Sequence, residues 1–226
     1  MISYFFNHFF HKRIRIFIIL ILVLTTTITF FMANPFTSKS ELFLQMDHYN
    51  LEYHSRMLLI IKYILLFSIS LILIDHDANF LKPLIAYFKR FKIASYKLVF
   101  YYGFVIWLIT TIYAIIIVVP FIITPYYQIK IVDLLEFLKM VPDFILLATL
   151  LLILTRDNRK PISFLILILV IVFSFIQEDT KSLTLGYILP LSSSILFETT
   201  FGYYYLIIYF MALILVYFLV FEYENI

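Results

Sequence analysis

The feature that most constrains this chain is a series of long apolar runs, of which Leu98–Ile123 is the longest. A bilayer core about 30 Å thick requires about 20 apolar residues in a helix, within a range of about 17–25. Three further runs meet or nearly meet that length: Ile16–Ala33, Met57–Ile74 (interrupted only by Lys62) and Tyr203–Phe221. The chain is 64% hydrophobic and 14% charged, whereas soluble domains are about 25% charged. These observations predict an all-α, polytopic membrane protein.

Two shorter runs, Phe144–Thr155 and Pro161–Ile176, bring the predicted number of transmembrane helices to six. The first reaches spanning length when Met140–Asp143 is included, and the second starts at Pro161, because proline is favoured at the first helical position. We expect residues 1–226 to form a single transmembrane domain. The absence of cysteine excludes disulfides, iron–sulfur clusters and thiolate zinc sites.

Orientation is predicted from Lys and Arg, which favour the cytoplasmic loops of membrane proteins. If the first span starts inside, 11 of the 17 basic residues lie in cytoplasmic segments and six lie outside. Nine of the 14 acidic residues lie outside on the same assignment. Both termini are therefore predicted to be cytoplasmic, in a plasma membrane.

Two segments outside the spans are predicted to contact the membrane. In Ser3–Arg15, four phenylalanines fall on one helical face, which indicates an interfacial helix before the first span. The alternative is an N-terminal extension of that span. Gln177–Gly202 is apolar in the middle and broken by Pro190 and serines, which favours a re-entrant segment before the last span. A plain external loop is the alternative there.

The longest cytoplasmic loop contains a short amphipathic helix in this prediction. After Pro83, the apolar residues recur at helical spacing, at Leu84, Tyr87, Phe88 and Phe91, and basic residues lie towards the other side. So short a helix is not stable alone, and its aromatic face must rest on lipid headgroups or on a partner protein. The pattern alone leaves both open.

No catalytic or cofactor-binding residues are assigned from motifs. No Gly-x-x-x-x-Gly-Lys-Ser/Thr loop occurs, so any ATP would bind to another chain. Asp75, His76 and Asp77 form the best candidate metal cluster, but the lone Asp157 is the one acidic residue on another cytoplasmic loop. We therefore expect that cluster to be structural and the chain not to be an enzyme. The net charge of +3 is too small to suggest a nucleic-acid partner.

Charged residues near the spans are expected to lie at the outer ends of their segments. They are Lys62, Asp143 and Glu198. At such a position a lysine can extend its ammonium group to the headgroups. A second acidic cluster, Asp47, His48, Glu52 and His54, is expected to form a solvated helix face rather than a metal site.

The segment Asp75–Lys97 resembles the coupling loop in the permease subunits of type-2 ATP-binding-cassette (ABC) exporters. It has acidic residues after the second span, then Leu84-Ile85-Ala86-Tyr87-Phe88-Lys89-Arg90, then Ser95-Tyr96-Lys97 opening the third span. The topology is also similar: an interfacial helix, six spans, both ends inside and a re-entrant segment before the last span. A departure from the family's pattern is Asp75 or Asp77 where Glu is usual.

This resemblance implies a transmembrane subunit that pairs with a second permease and rests on a separate nucleotide-binding ATPase, which carries ATP and Mg²⁺. The residues implied to contact that ATPase are Leu84, Tyr87, Phe88, Lys89, Arg90 and Phe91. The implied substrate of this bacterial exporter is an amphipathic peptide or a lipid-like molecule. Two alternatives come from other classes. One is a stand-alone membrane immunity protein, and the other is an intramembrane metal enzyme using Asp75–Asp77.

Overall fold

The structure is a computed structural model of the whole chain. It describes residues 10, 12–33, 62, 88–123, 131–154, 165–166, 168–170, 172–173, 176 and 200–222. Every described residue is helical except Phe10, Phe88 and Lys89. The all-α prediction is therefore confirmed for this part of the chain.

Four helices have defined bounds: α1 (Lys12–Ala33), α2 (Arg90–Ile123), α3 (Ile131–Leu154) and α4 (Thr200–Glu222). Three of them contain stretches long and apolar enough to cross a membrane, at Ile14–Phe31, Arg90–Ile123 and Phe201–Glu222. The apolar part of α3, Val141–Leu154, is shorter. By length and composition, the chain is therefore membrane-embedded. The three long helices match the first, third and sixth predicted spans, and α3 overlaps the fourth.

The second and fifth predicted spans fall mostly outside the described residues. Within Met57–Ile74 only Lys62 is described, and it is helical. Within Pro161–Ile176 eight residues are described, and all are helical. The re-entrant prediction also lies outside, apart from residues 200–202, which begin α4. The count of six spans and the single-domain assignment stay predictions.

The predicted interfacial helix Ser3–Arg15 overlaps the start of α1. Phe10 lies in a turn, and Lys12–Arg15 form the first turn of α1 rather than a separate helix. The Arg15 side chain donates to the Phe10 carbonyl, and the Phe10 ring packs edge-on against Phe104, with 5.8 Å between centroids. The end of the predicted segment is thus continuous with α1, because its helical run proceeds directly into the apolar residues.

Helix α1 buries one stripe and exposes an equally apolar opposite face. Ile14, Ile18, Ile21, Thr25 and Thr29 are buried at a spacing of three or four residues. Both threonine hydroxyls donate to carbonyls four residues earlier, which satisfies polar groups that face the interior. The exposed face carries isoleucine, leucine and valine, as expected of a helix with lipid on one side.

Helix α2 is the centre of the described bundle, since it packs against α1, α3 and α4. It has 34 residues, which gives a length of about 51 Å against a hydrocarbon core of about 30 Å. Buried residues are distributed along almost its whole length, from Ile93 to Pro120. Because lipid tails are as apolar as leucine, this association depends on close packing and interhelical hydrogen bonds.

Helix α3 runs antiparallel to α2. The Tyr102 hydroxyl contacts the Thr149 hydroxyl at 2.6 Å, which aligns the two helices. If α3 ran parallel to α2, Ile123 would lie above the Tyr102–Thr149 contact and Ile131 below it. At 1.5 Å per residue, the two residues would then be about 58 Å apart along the helix axes. The seven residues 124–130 span at most about 29 Å, so α3 must return towards the start of α2.

Helix α4 is also antiparallel to α2. Phe218 packs on Phe91, while Phe210 lies near Tyr102, with 6.2 Å between centroids. The residue numbers rise along α2, from 91 to 102, while those of the contacting residues on α4 fall from 218 to 210. The two helices therefore run in opposite directions. The start of α2 and the ends of α3 and α4 therefore lie at the same end of the bundle.

Candidate partner-binding site

The predicted coupling residues lead directly into α2. Phe88 lies in a bend, Lys89 is not helical, and the helix starts at Arg90. The Lys89 carbonyl accepts hydrogen bonds from the amides of Lys92 and Ile93, at 3.0 and 3.2 Å. Lys89 thus caps the helix start.

A continuous short helix from Leu84 to Phe91 is therefore wrong in its last residues. Arg90 and Phe91 belong to the first turn of α2, and the break lies at Phe88 and Lys89. The physical reason is that no proline or glycine interrupts the chain between Arg90 and Gly103, so the helix continues backwards past the predicted start of the span at Leu98. Leu84 and Tyr87 lie outside the described residues.

Aromatic rings are exposed around this helix start. Phe88 is 40% exposed and Phe91 is 62% exposed. The Lys92 ammonium lies 5.6 Å from the centroid of the Phe88 ring, a cation–π distance. We call Phe88, Lys89, Arg90, Phe91 and Lys92 the basic aromatic end of α2.

The last turns of α4 hold this end in place. The rings of Phe91 and Phe218 are stacked, with 4.7 Å between centroids and 25° between planes. Arg90 donates to the Glu222 carbonyl at 2.8 Å, and the Tyr217 hydroxyl donates to the Ala94 carbonyl at 3.2 Å. An arginine at the carbonyl end of a helix is also favoured by the helix dipole. The basic aromatic end is consequently attached to a second helix while its rings stay partly exposed.

This end of α2 is basic, with exposed rings beside the cations. No acidic residue lies in the first turn of α2, and three basic residues follow one another within four positions. No group of three or more His, Asp or Glu residues that could hold a metal ion occurs in the part of the chain that the structure describes. The metal candidate Asp75–Asp77 lies outside that part.

A second polar feature is a buried ion pair that sequence reasoning missed. The Lys62 ammonium lies 3.2 Å from an Asp143 carboxylate oxygen, and their side chains are 1% and 0% exposed. Lys62 was expected to extend to the headgroups, and that expectation is wrong because its ammonium is buried against Asp143. The available signal was one charge of each sign, alone within two apolar runs.

Near that pair, hydroxyl groups connect α2 to α3. The Thr149 hydroxyl donates to the Ile145 carbonyl at 2.8 Å, which leaves its oxygen to accept from Tyr102. Asp143 lies six residues before Thr149, about 9 Å along the same helix. The polar contacts of α3 are thus spread over almost two turns.

No family model matches the chain, and no curated protein or solved structure matches it either.

Proposed function

We propose that the chain is the transmembrane subunit of an ATP-driven exporter in the bacterial plasma membrane. Two permeases, identical or homologous, pair in lipid, and separate nucleotide-binding subunits hydrolyse ATP. The exported molecule is an amphipathic peptide or a lipid-like compound. The chain contacts the ATPase through the basic aromatic end of α2 and through Leu84 and Tyr87, which precede that end.

The observation that carries this proposal is the exposed pair Phe88 and Phe91 at the start of a helix about 20 Å longer than a bilayer core. No proline interrupts this helix before Pro120, so the part up to that residue moves as one element. Since α2 packs against α1, α3 and α4, a partner that moves its exposed end also moves the centre of the bundle. Motion at a cytoplasmic subunit is thereby coupled to the membrane-embedded helices.

Helix directions support the six-span topology. Both α3 and α4 run antiparallel to α2, so the connection 155–199 has to return from one end of the bundle to the other. The helical residues between 165 and 176 coincide with the predicted fifth span. With six spans, both termini and the basic aromatic end lie on the same side of the membrane, and the split of basic residues favours the cytoplasm for that side.

The test measures how much ATPase activity co-purifies with the tagged, full-length chain when the chain is isolated from its own membranes. Burial of a phenylalanine contributes about 1.5–3 kcal/mol, so Phe88→Ala should weaken ATPase association about 10- to 100-fold. Phe121→Ala is the matched control, because Phe121 is 61% exposed at the opposite end of α2.

Retained ATP hydrolysis should fall with Phe88→Ala and stay at the native level with Phe121→Ala. Equal retention by both variants would remove the coupling role. A native chain that retains no ATP hydrolysis would favour the stand-alone immunity protein instead.

A further inference from the structure

Two cations of α2 converge on the end of α4. Arg90 donates to the Glu222 carbonyl at 2.8 Å, and the Lys97 ammonium lies 5.8 Å from the centroid of the Phe221 ring. Both contacts are made to consecutive residues of α4, so the guanidinium and the ammonium lie close together. Residues seven positions apart fall on almost the same face of a helix, so both side chains lie on the side of α2 that faces α4.

This convergence occurs where two apolar runs end. Lys97 immediately precedes the run Leu98–Ile123 of α2. Glu222 immediately follows the run Tyr203–Phe221 of α4. Apolar runs of spanning length end at the headgroups of a bilayer, and helical side chains lean towards the helix N-terminus, which directs the Lys97 ammonium out of its run. The two cations therefore lie at the depth of the lipid phosphates.

Positive charge exceeds negative charge at this end of the bundle. No acidic residue lies in the first turn of α2. Glu222 carries the one carboxylate that the structure describes in the last turn of α4. The carbonyl end of α4 adds the equivalent of about half a negative charge. The basic residues described here outnumber these groups, so the surface is complementary to an anion; they are Lys89, Arg90, Lys92 and Lys97.

Exposed apolar side chains of α4 lead away from these cations. Leu215, Val216 and Leu219 are exposed in the last two turns of the helix. They belong to the apolar run of α4, so they face acyl chains rather than water. The surface thus combines cations at the depth of the headgroups with an apolar wall at the depth of the acyl chains.

We propose that Arg90 and Lys97 bind the phosphate of an anionic phospholipid, whose acyl chains lie along Leu215, Val216 and Leu219. Basic positions between membrane helices favour anionic headgroups. A headgroup with a net negative charge compensates the excess of cations, whereas phosphatidylcholine carries a trimethylammonium group that those cations repel. The bound phospholipid bridges α2 and α4, so the junction between these helices depends on the lipid composition of the membrane.

This site lies on the opposite side of α2 from Phe88 and Lys92. The Lys92 ammonium lies against the Phe88 ring, and Lys92 is two residues from Arg90, which places it about 200° around the helix. Phospholipid and ATPase therefore occupy different sides of α2. The inference does not rest on the proposed function.

The experiment is native mass spectrometry of the purified full-length chain, titrated in detergent with dioleoyl phosphatidylglycerol or dioleoyl phosphatidylcholine. The two probes share their acyl chains and differ in headgroup charge. The measured quantity is the dissociation constant of the first bound phospholipid. Lys97→Gln removes one cation from the site. Lys139→Gln is the matched control, because Lys139 is an exposed lysine of α3 outside the site.

The native chain should bind phosphatidylglycerol at least about ten times more tightly than phosphatidylcholine. Lys97→Gln should weaken phosphatidylglycerol binding about fivefold, and Arg90→Gln with Lys97→Gln about 30-fold, which corresponds to about 2 kcal/mol for two basic residues. Lys139→Gln should leave the affinity unchanged. Lys92→Gln, on the opposite side of α2, should weaken binding by no more than about twofold.

Lys97→Arg keeps the charge and should keep the native affinity, which separates lipid binding from misfolding of the uncharged variants. Equal affinity of the native chain for the two phospholipids would overturn the site, and so would equal losses from Lys97→Gln and Lys139→Gln. Binding by Lys97→Arg as weak as that by Lys97→Gln would also overturn it. A loss with Lys92→Gln as large as that with Lys97→Gln would show diffuse attraction to a basic end instead of a site.

Discussion

The start of α2 and the Lys62–Asp143 pair both carry charged side chains, but they differ in how far those regions are exposed. At the basic aromatic end, Phe91 remains 62% exposed although it stacks on Phe218. At the ion pair, both side chains are almost completely inaccessible. The first arrangement places basic side chains beside exposed rings at a helix start, whereas the second pairs opposite charges within the chain.

This difference separates an exposed surface from a contact that holds the interior of the chain together. A charge at an exposed helix start is solvated in the unbound chain, so its loss costs the fold little. A charge in the apolar interior is tolerated only with compensation, so its partner becomes indispensable. Substitutions at the two places should consequently differ both in size and in kind.

The largest expected effect is loss of one member of the ion pair. Lys62→Met or Asp143→Leu alone should destabilise the chain by about 3–5 kcal/mol, because the other charge stays buried. The double variant should recover most of that loss. Unfolding by sodium dodecyl sulfate, followed through the single Trp107, measures each value. A double variant as unstable as the sum of the singles would show no coupling between the two charges, which would contradict their mutual neutralisation.

A smaller effect is expected from the stacked rings that join α2 to α4. In a double-mutant cycle, Phe91→Ala and Phe218→Ala should show a coupling of about 0.5–1.5 kcal/mol. The control cycle pairs Phe218→Ala with Phe121→Ala, at the far end of α2, and should show none. Absence of coupling in the first cycle would mean that the basic aromatic end is not attached to α4.

The smallest effect is expected for the hydroxyl contact between α2 and α3. Interhelical hydrogen bonds in membranes average about 0.6 kcal/mol, and Tyr102→Phe with Thr149→Val should couple by about that amount. The same unfolding measurement applies. A coupling as large as that of the ion pair would contradict the distinction between neutral and charged interior contacts.

Sequence reasoning predicted the apolar helices well but not their ends. Three of the predicted spans correspond to described helices long and apolar enough to cross a membrane, and a fourth overlaps the shorter apolar part of α3. The length of an apolar run is a local property that the bilayer thickness constrains. The start of α2 lies eight residues before the predicted start at Leu98, since the basic residues of this turn continue the helix beyond the apolar run. Hydropathy marks where lipid begins, and the backbone hydrogen bonds mark where the helix begins.

The ion pair was unpredictable for a different reason. Lys62 and Asp143 are 81 positions apart, and nothing in either local sequence determines which helices become neighbours. The candidates Phe88 and Phe91, in contrast, follow from local spacing beside basic residues, and both side chains are exposed. Their role in binding an ATPase stays a prediction.

The most direct test of the account is the side of the membrane that the basic aromatic end faces. A single cysteine at Lys89 should resist a membrane-impermeant maleimide in intact cells and react once the membrane is permeabilised. A cysteine at Ile122, 74% exposed at the other end of α2, should react more readily from outside than the one at Lys89. Labelling of Lys89→Cys in intact cells would place this end outside, and no cytoplasmic ATPase could then bind it.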